Sequence, residues 1–221
     1  MLDHRTRYLQ IAFNYDIDLV KRVLPSIPTS ERILIEAGTP FIKLEGQDGI
    51  KAIRDRWDGQ IVADLKTVDG AIGEVEMARK AGSTAATSLG SSPTEALDLF
   101  ISTCTTLGMD SMIDMLGVDD PLKTLRRLRT PPQAAVLHRG RDEEGSRGKV
   151  IQYRHVNRIR SKYNTLISAA GGVDLKEARS AIFNGASIVV VNLVAPGDPW
   201  VGIPTNADIG EITRQFLETI E

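Results

Sequence analysis

Eight short apolar runs alternate with eight longer amphipathic runs along this chain, and this alternation is what most constrains its fold. Several of the short runs are continuously apolar, such as Ile188-Val189-Val190-Val191, which is typical of parallel strands buried on both faces. The pattern predicts strands at 8–13, 32–36, 60–64, 83–88, 109–115, 133–138, 165–169 and 186–191.

A helix is predicted after each of these strands, and several helices begin or end with capping residues. Ser92 precedes Pro93, which places a capping hydroxyl before a first-turn proline. Gly82 and Gly185 stand where helices are expected to end. The predicted helices are 16–24, 48–56, 70–81, 93–107, 119–129, 150–162, 174–184 and 207–220.

Eight strand–helix units in a chain of 221 residues are what a compact (β/α)8 TIM barrel of the α/β class requires. An open, doubly wound sheet is the alternative for the same alternation. No shift in composition and no linker rich in proline or serine divides the chain, so residues 1–221 are predicted to form a single domain.

The composition, 42% hydrophobic and 25% charged, is that of an ordinary globular protein. A net charge of −2 gives no general attraction to nucleic acid or to an anionic membrane. The single cysteine, Cys104, cannot form an intrachain disulfide and fits a reducing compartment. The sequence shows neither a signal peptide nor an apolar run of about 18 residues, so we expect a cytoplasmic protein.

In a barrel the carboxyl ends of the strands meet at one mouth, so the residues that end or follow the predicted strands are candidates for a shared site. These positions carry many charged and glycine residues. In chain order they are Asn14, Glu36, Asp64, Lys66, Asp69, Asp114, His138, Gly171 and Gly172.

Asp64, Lys66 and Asp69 end a buried strand, where charges are costly unless they pair or bind a ligand. Inside the mouth, the Lys66 ammonium could stabilise an oxyanion while the carboxylates keep it charged. The alternative is a cluster of surface charges on a loop. With Glu36, Asp64 could supply oxygen ligands to Mg²⁺, although Glu36 could equally pair with a neighbouring lysine.

His138 has the side chain best suited to moving a proton near neutral pH, although a lone histidine after an apolar run is more often structural. The charged, glycine-rich segment 139–149 is either a lid or a solvated loop. Gly171 and Gly172 would let backbone N–H groups approach a phosphate at a helix N-terminus, or they form a simple tight turn.

In five blocks the chain resembles the orotidine-5′-phosphate decarboxylase superfamily. Within that superfamily it is most similar to the 3-hexulose-6-phosphate synthases, notably the synthase module of archaeal fused formaldehyde-handling proteins. The resemblance covers nearly the whole chain from residue 9 onward. The blocks are IEAGTPFIK (35–43), VADLKTVD (62–69), IDMLGVDDP (113–121), LHRGRD (137–142) and AAGGV (169–173).

The resemblance implies a (β/α)8 aldehyde lyase that reversibly joins formaldehyde to ribulose 5-phosphate. It implies that Glu36 and Asp64 hold Mg²⁺, that Lys66 steadies an enediolate and that His138 transfers a proton. Asp69 matches an aspartate that reaches the active site of the partner subunit, so the resemblance also implies a homodimer.

Two strand ends depart from the family pattern. Asn14 stands where an aspartate is usual, and Asn192-Leu193 stands where strand eight usually ends in Gly-Arg and grips phosphate. Leu193 cannot make the charge-assisted contact of an arginine. The residues predicted to bind substrate are Asn14, Gly171, Gly172, Asn192, Arg139 and Arg141, with either arginine as the replacement.

Three functions therefore stay open. The first is the Mg²⁺-dependent lyase described above. The second is a superfamily lyase or decarboxylase that acts on a different sugar phosphate or on a substrate without phosphate. The third is a non-catalytic barrel that binds a metabolite. Within the unusual segment 194–204, Trp200 either covers the mouth or packs beneath the last helix.

Overall fold

The computed structural model of the protein describes residues 1–144 and 150–221, so residues 145–149 of the predicted lid or loop at 139–149 lie outside the described residues. The strands lie close to their predicted positions. They are β1 (Tyr8–Phe13), β2 (Ile33–Ala37), β3 (Gln60–Thr67), β4 (Ala85–Leu89), β5 (Asp110–Asp114), β6 (Ala134–His138), β7 (Leu166–Ala170), β8 (Ile188–Val194) and β9 (Ile203–Pro204).

Strands β1 to β8 pair in parallel in chain order, and β1 also pairs with β8. Ile11 lies opposite Ile35 of β2 on one side and Val191 of β8 on the other, so the sheet closes on itself. The predicted (β/α)8 barrel is thereby confirmed, and the open sheet is excluded. The short strand β9 adds to β8 outside the ring.

Eight α-helices follow the barrel strands. They are α1 (Ile17–Val23), α2 (Thr39–Arg54), α3 (Ala71–Lys80), α4 (Thr94–Thr106), α5 (Pro121–Leu125), α6 (Val156–Arg160), α7 (Leu175–Phe183) and α8 (Ile209–Thr219). Four of them begin at aspartates whose carboxylates accept a first-turn N–H, namely Asp16, Asp120, Asp174 and Asp208. Among the described residues no helix is both long enough and apolar enough to cross a bilayer.

Three helix predictions need correction. Helix α2 begins at Thr39 rather than at 48, because Pro40 opens it and a kink at Gly46 interrupts the periodicity on which the prediction depended. Helix α5 ends at Leu125 rather than at 129, since Arg127 and Leu128 donate to carbonyls three residues back, in a tighter turn. Helix α6 is confined to Val156–Arg160, after a 3₁₀ turn at Tyr153–His155.

The apolar core has two layers because strand side chains alternate between the two faces of the sheet. Leu34, Val62 and Met112 lie among the buried residues that fill the barrel. Ile33 and Ile35 lie in the larger cluster between the strands and the helices. This alternation fixes which residues at the strand ends turn towards the mouth.

The kink at Gly46 gives a test of the fold. Its φ of 60° and ψ of −147° belong to a region that only glycine occupies without strain. Substitution of this residue, Gly46→Ala, should lower the free energy of unfolding by about 1–3 kcal/mol in urea denaturation.

The matched control is Gly73→Ala, at an exposed helical glycine of α3 where an added Cβ meets no atom within 4 Å. This change should raise stability by about 0.5–1 kcal/mol, because alanine loses less backbone entropy than glycine on folding. Equal effects of the two substitutions would contradict the assigned kink.

Candidate active site

A cavity of about 560 Å³ opens at the carboxyl ends of the barrel strands. The residues that line it include Asn14, Glu36, Asp64, Lys66, Asp114, His138, Arg141, Gly171 and Asn192. Most of the residues predicted at the strand ends therefore face one space. Their roles in binding or catalysis stay predictions.

The side-chain alternation explains this convergence. Glu36 continues the inward-facing series of Leu34, and Asp64 continues that of Val62. The carboxylates are thus carried on rigid strands whose preceding residues fill the barrel. Glu36 is 7% exposed and Asp64 is 8% exposed, so both are held largely out of bulk water.

Lys66 lies at the centre of the charged groups. Its Nζ donates to both carboxylate oxygens of Asp64 at 3.0 Å and to Oδ2 of Asp114 at 2.6 Å. Lys66 is also the one residue other than glycine with a positive φ, 48°, in the described parts of the chain. The left-handed backbone costs about 1 kcal/mol and accompanies a register shift between β3 and β4.

Two threonines hold the Asp64 carboxylate in place. Thr87 Oγ1 donates to Oδ1 at 2.8 Å, and Thr39 Oγ1 lies 2.8 Å from Oδ2. The Thr87 hydroxyl oxygen also accepts the backbone N–H of Lys66 at 3.0 Å. The orientation of Asp64 relative to Lys66 is thus fixed from both sides.

Asp114 joins the lysine to the histidine. Nδ1 of His138 lies 2.9 Å from Oδ2 and 3.1 Å from Oδ1 of Asp114, whose Oδ2 also accepts the Lys66 bond. An Nδ1–H bonded to this carboxylate leaves Nε2 as the ring nitrogen for exchange of a proton with a ligand in the cavity.

These contacts shift the titration of all three groups. Burial disfavours the charged form of Lys66, but the charges of Asp64 and Asp114 outweigh it and raise the pKa of the ammonium. Burial likewise opposes ionisation of Asp114, yet His138 and Lys66 bring the pKa of this carboxyl well below its usual range. Burial also disfavours the imidazolium of His138, but Asp114 raises the pKa of the ring overall.

Glu36 shows the opposite behaviour. Burial and the nearby charge of Asp64 raise the pKa of Glu36 to about 7, although Gln10 Nε2 donates to its Oε2 at 2.5 Å. Burial is the larger of the two causes, and the neighbouring Lys66 and His138 offset only part of the combined effect on Glu36. This is an arrangement that a further positive charge would stabilise.

The glycine pair after β7 forms a turn with φ of 104° at Gly171 and 61° at Gly172. A Cβ on Gly171 would lie 1.9 Å from the carbonyl oxygen of Arg139, so the turn packs directly against the backbone after β6. The Arg139 guanidinium donates to the carbonyls of Gly171 and Gly172 at 2.9 and 3.2 Å. Gly171 lines the cavity, whereas Gly172 and Arg139 do not.

The ends of β1 and β8 contribute amides rather than charges. Asn14 Nδ2 donates to Asn192 Oδ1 at 3.0 Å, and both side chains line the cavity. Leu193 has the opposite orientation on the strand and is 1% exposed in the layer beneath the helices.

Asp69 does not join the other predicted residues. It follows β3, is exposed and does not line the cavity.

Trp200 lies near the mouth of the barrel. Its ring stacks on Arg141, which lines the cavity, with the guanidinium carbon 4.3 Å from the ring centroid.

Sequence reasoning missed several contributors to this site. Asp114 was recognised at a strand end but given no role, and the hydrogen bonds of Gln10, Thr39 and Thr87 were not anticipated. The signal for Asp114 and Thr87 was their spacing, since each lies two residues after an inward-facing residue, Met112 or Ala85.

Curated proteins resemble the chain in sequence along nearly its whole length. It is 35% identical over 216 residues to the bifunctional enzyme Fae/Hps of Methanothrix thermoacetophila, a match that covers 97% of this chain and 53% of that protein. It is 36% identical over 216 residues to the Fae/Hps of Methanosarcina mazei, covering 96% and 52%. The chain thus spans about half the length of these curated relatives.

Solved structures share its fold. The 3-hexulose-6-phosphate synthase from Salmonella typhimurium superposes with a TM-score of 0.84 at 23% identity, covering 96% of this chain and 98% of that one. The 3-keto-L-gulonate-6-phosphate decarboxylase from Vibrio cholerae O1 superposes with a TM-score of 0.73 at 19% identity, covering 97% of each. Residues 7–192 match the Orotidine 5'-phosphate decarboxylase / HUMPS family, and the chain belongs to that family.

Proposed function

We propose that the protein is a carbon–carbon lyase of the 3-hexulose-6-phosphate synthase type, which reversibly joins formaldehyde to ribulose 5-phosphate. The observation that carries this proposal is the Lys66 ammonium, bonded to two buried aspartates, one of which also binds His138. The similarity to Fae/Hps proteins along nearly the whole chain supports the same reaction type.

In the synthetic direction a proton passes from C1 of ribulose 5-phosphate to Nε2 of the neutral imidazole of His138, and the resulting enediolate carbon attacks the carbonyl carbon of formaldehyde. The alkoxide formed from the formaldehyde oxygen then takes up a proton. We propose that Lys66 stabilises the enediolate oxygens, because its ammonium is held largely out of bulk water, where charge interactions are strong. Its raised pKa keeps it charged throughout.

His138 is the group we propose for proton transfer. Asp114 fixes the orientation of the ring through Nδ1 and supports the imidazolium, so that Nε2 can give a proton to the new alkoxide or remove it in the reverse reaction. We propose that Asn14 and Asn192 bond the hydroxyl groups of the sugar, because both side chains line the cavity.

Glu36 and Asp64 fit a Mg²⁺ ion that keeps much of its water. Mg²⁺ is commonly held by one or two carboxylates with substrate and water completing its coordination, and no group of three potential ligands occurs among the described residues. The raised pKa of Glu36 is the feature of this structure that a divalent cation would relieve. When bound, Mg²⁺ would supply a Lewis acid for the negative charge of the substrate oxygens.

We further propose a cytoplasmic homodimer in which Asp69 completes the site of the partner subunit. Asp69 is exposed and stands beside Val68 and Ile72, which are 49% and 47% exposed. Exposed apolar side chains around a charged residue suit a subunit interface. The buried thiol of Cys104 is consistent with a reducing compartment.

A second candidate is a lyase or decarboxylase of the same superfamily that acts on a different sugar phosphate or on a substrate without phosphate. The observation that favours it is Leu193, which brings no charge to the cavity from β8. Wild-type turnover of ribulose 5-phosphate separates the two candidates.

The lyase is tested by the loss of ribulose 5-phosphate that depends on formaldehyde and Mg²⁺. Lys66→Ala should lower the turnover number at least about a hundredfold to a thousandfold, because it removes the cation that faces the developing negative charge. Circular dichroism should show that the barrel persists, although two buried aspartates lose their partner.

Lys51→Ala is the matched control, since Lys51 pairs with Asp48 on the exposed face of α2. Its turnover should equal that of the wild type. Lys66→Arg retains the charge and guards against failure of the alanine variant to fold. No formaldehyde-dependent turnover in the wild type would contradict the proposed reaction.

Glu36→Gln tests the metal site through stability. The pKa of Glu36 is about 7 in the metal-free native state and about 4.5 in the unfolded chain. Between these pH values the native state binds more protons than the unfolded state, so the stability of the wild type falls as the pH rises from about 4.5 to about 7. At pH 8 without metal, the variant should therefore be more stable by up to about 3 kcal/mol, and the difference should vanish near pH 4.5.

Mg²⁺ should raise the melting temperature of the wild type at pH 8 but not that of the Gln variant, because ligand binding stabilises only the protein that binds it. Asp48→Asn, at an exposed carboxylate of α2, should keep the wild-type response. Equal Mg²⁺ stabilisation of wild type and Glu36→Gln would remove Glu36 from the metal site.

The shared site is tested by mixing two inactive variants, Lys66→Ala and Asp69→Ala, after dissociation and reassociation. A hybrid dimer would contain one site with both residues intact, so the mixture should recover about a quarter of wild-type activity. Each variant treated alone should recover none. Activity of Asp69→Ala on its own, or no recovery in a mixture shown by mass spectrometry to contain hybrids, would contradict a shared site.

A further inference from the structure

The last barrel strand brings no cation to the cavity. Leu193 is held in the sheet by pairing with Ile203 of β9, and it is buried in the outer layer of the core. The neighbouring residue that does line the cavity, Asn192, carries a neutral amide that already bonds Asn14. A negatively charged group of a substrate must therefore find its partner on another element.

Two of the cations near the mouth are engaged elsewhere. Lys66 is bonded to two aspartates in the depth of the cavity. Arg139 points its guanidinium at the carbonyls of Gly171 and Gly172, behind the cavity wall. Arg141 and Lys43 both line the cavity.

Arg141 is positioned by an aromatic ring rather than by a carboxylate. Its guanidinium lies 4.3 Å from the centroid of the Trp200 ring, and it forms no ion pair with any carboxylate of residues 1–144 or 150–221. Stacking on tryptophan orients a guanidinium without neutralising its charge. The charge remains directed at the cavity that Arg141 lines.

Asp142, Glu143 and Glu144 follow Arg141 and line the cavity, and two of these three carboxylates accept hydrogen bonds from backbone groups. Glu143 Oε2 accepts the N–H of Gly140 at 3.0 Å, and Glu144 Oε2 accepts the N–H of Val201 at 3.2 Å. The second of these bonds also ties the segment after β6 to the segment that carries Trp200.

The segment that carries Trp200 is itself anchored to the barrel. The N–H of Ala195 donates to the Tyr15 hydroxyl at 2.8 Å, and the same hydroxyl bonds the carboxylate of Asp198. On its far side, Thr205 N donates to the carbonyl of Val194 at 2.9 Å. The ring therefore has a fixed position on which to hold the arginine.

We propose that Arg141, held against Trp200, binds the phosphate group of the substrate in place of a strand-eight arginine. A guanidinium presents a planar fork that matches two phosphate oxygens. Lys43, exposed on α2, offers a compact charge without such a support. This assignment deepens the function proposed above and depends on it for the presence of a phosphate.

The test compares the dissociation constants of ribulose 5-phosphate and of ribulose, measured by calorimetry without formaldehyde. Wild type should prefer the phosphorylated sugar. Arg141→Ala should weaken binding of ribulose 5-phosphate about tenfold to a thousandfold and leave binding of ribulose unchanged, because only the charge-assisted phosphate contact is lost. Arg141→Lys and Trp200→Leu should show smaller losses of the same selective kind.

Arg22→Ala, at an exposed residue in the last turn of α1, controls for the loss of one positive charge and should bind both sugars as wild type does. The assignment to Arg141 would be overturned if Arg141→Ala kept the wild-type preference for the phosphorylated sugar. It would also be overturned if Lys43→Ala, and not Arg141→Ala, lost that preference. A wild type without any such preference would overturn the proposed function together with this inference.

Discussion

The ammonium of Lys66 is the interaction on which the mouth of this barrel depends. It lies between Asp64 and Asp114, two carboxylates that are buried and would otherwise face each other with little solvent to separate their charges. The same Asp114 carboxylate bonds Nδ1 of His138. Glu36 forms no ion pair with any residue of 1–144 or 150–221, and burial together with the charge of Asp64 raises its pKa. A further positive charge beside Glu36 would therefore stabilise the site.

Much of this arrangement could be predicted from the sequence, because strand side chains alternate strictly. Leu34, Val62 and Met112 fill the barrel, and in each case the residue two positions later is a carboxylate at the mouth. A buried apolar run that ends in a charged residue thus identifies both a strand and the direction of its last side chain. The closed barrel and the family follow from the same runs, and both are confirmed.

The remainder depends on contacts between residues distant in sequence. Nothing in the sequence around Arg141 or around Trp200 shows that the two side chains meet, since they lie far apart in the chain and their contact forms only in the folded structure. The sequence offers Arg139 and Arg141 equally as phosphate-binding residues, and only the structure shows that the Arg139 guanidinium bonds the carbonyls of the glycine turn. The start of α2 was missed for a local reason, because the kink at Gly46 divides one helix into two shorter patterns.

Strand β8 shows why an arginine introduced at position 193 would not bring a cation to the cavity. The strand continues to Val194 and pairs with β9, so position 193 is fixed on the face that packs beneath the helices. An arginine placed there would enter an apolar layer and would bury a charge without a partner. In the proposed assignment the cation comes instead from a connection outside the regular strands, where the backbone does not impose the alternation. That cation is Arg141 after β6, and the segment between β8 and β9 supplies the ring on which it stacks.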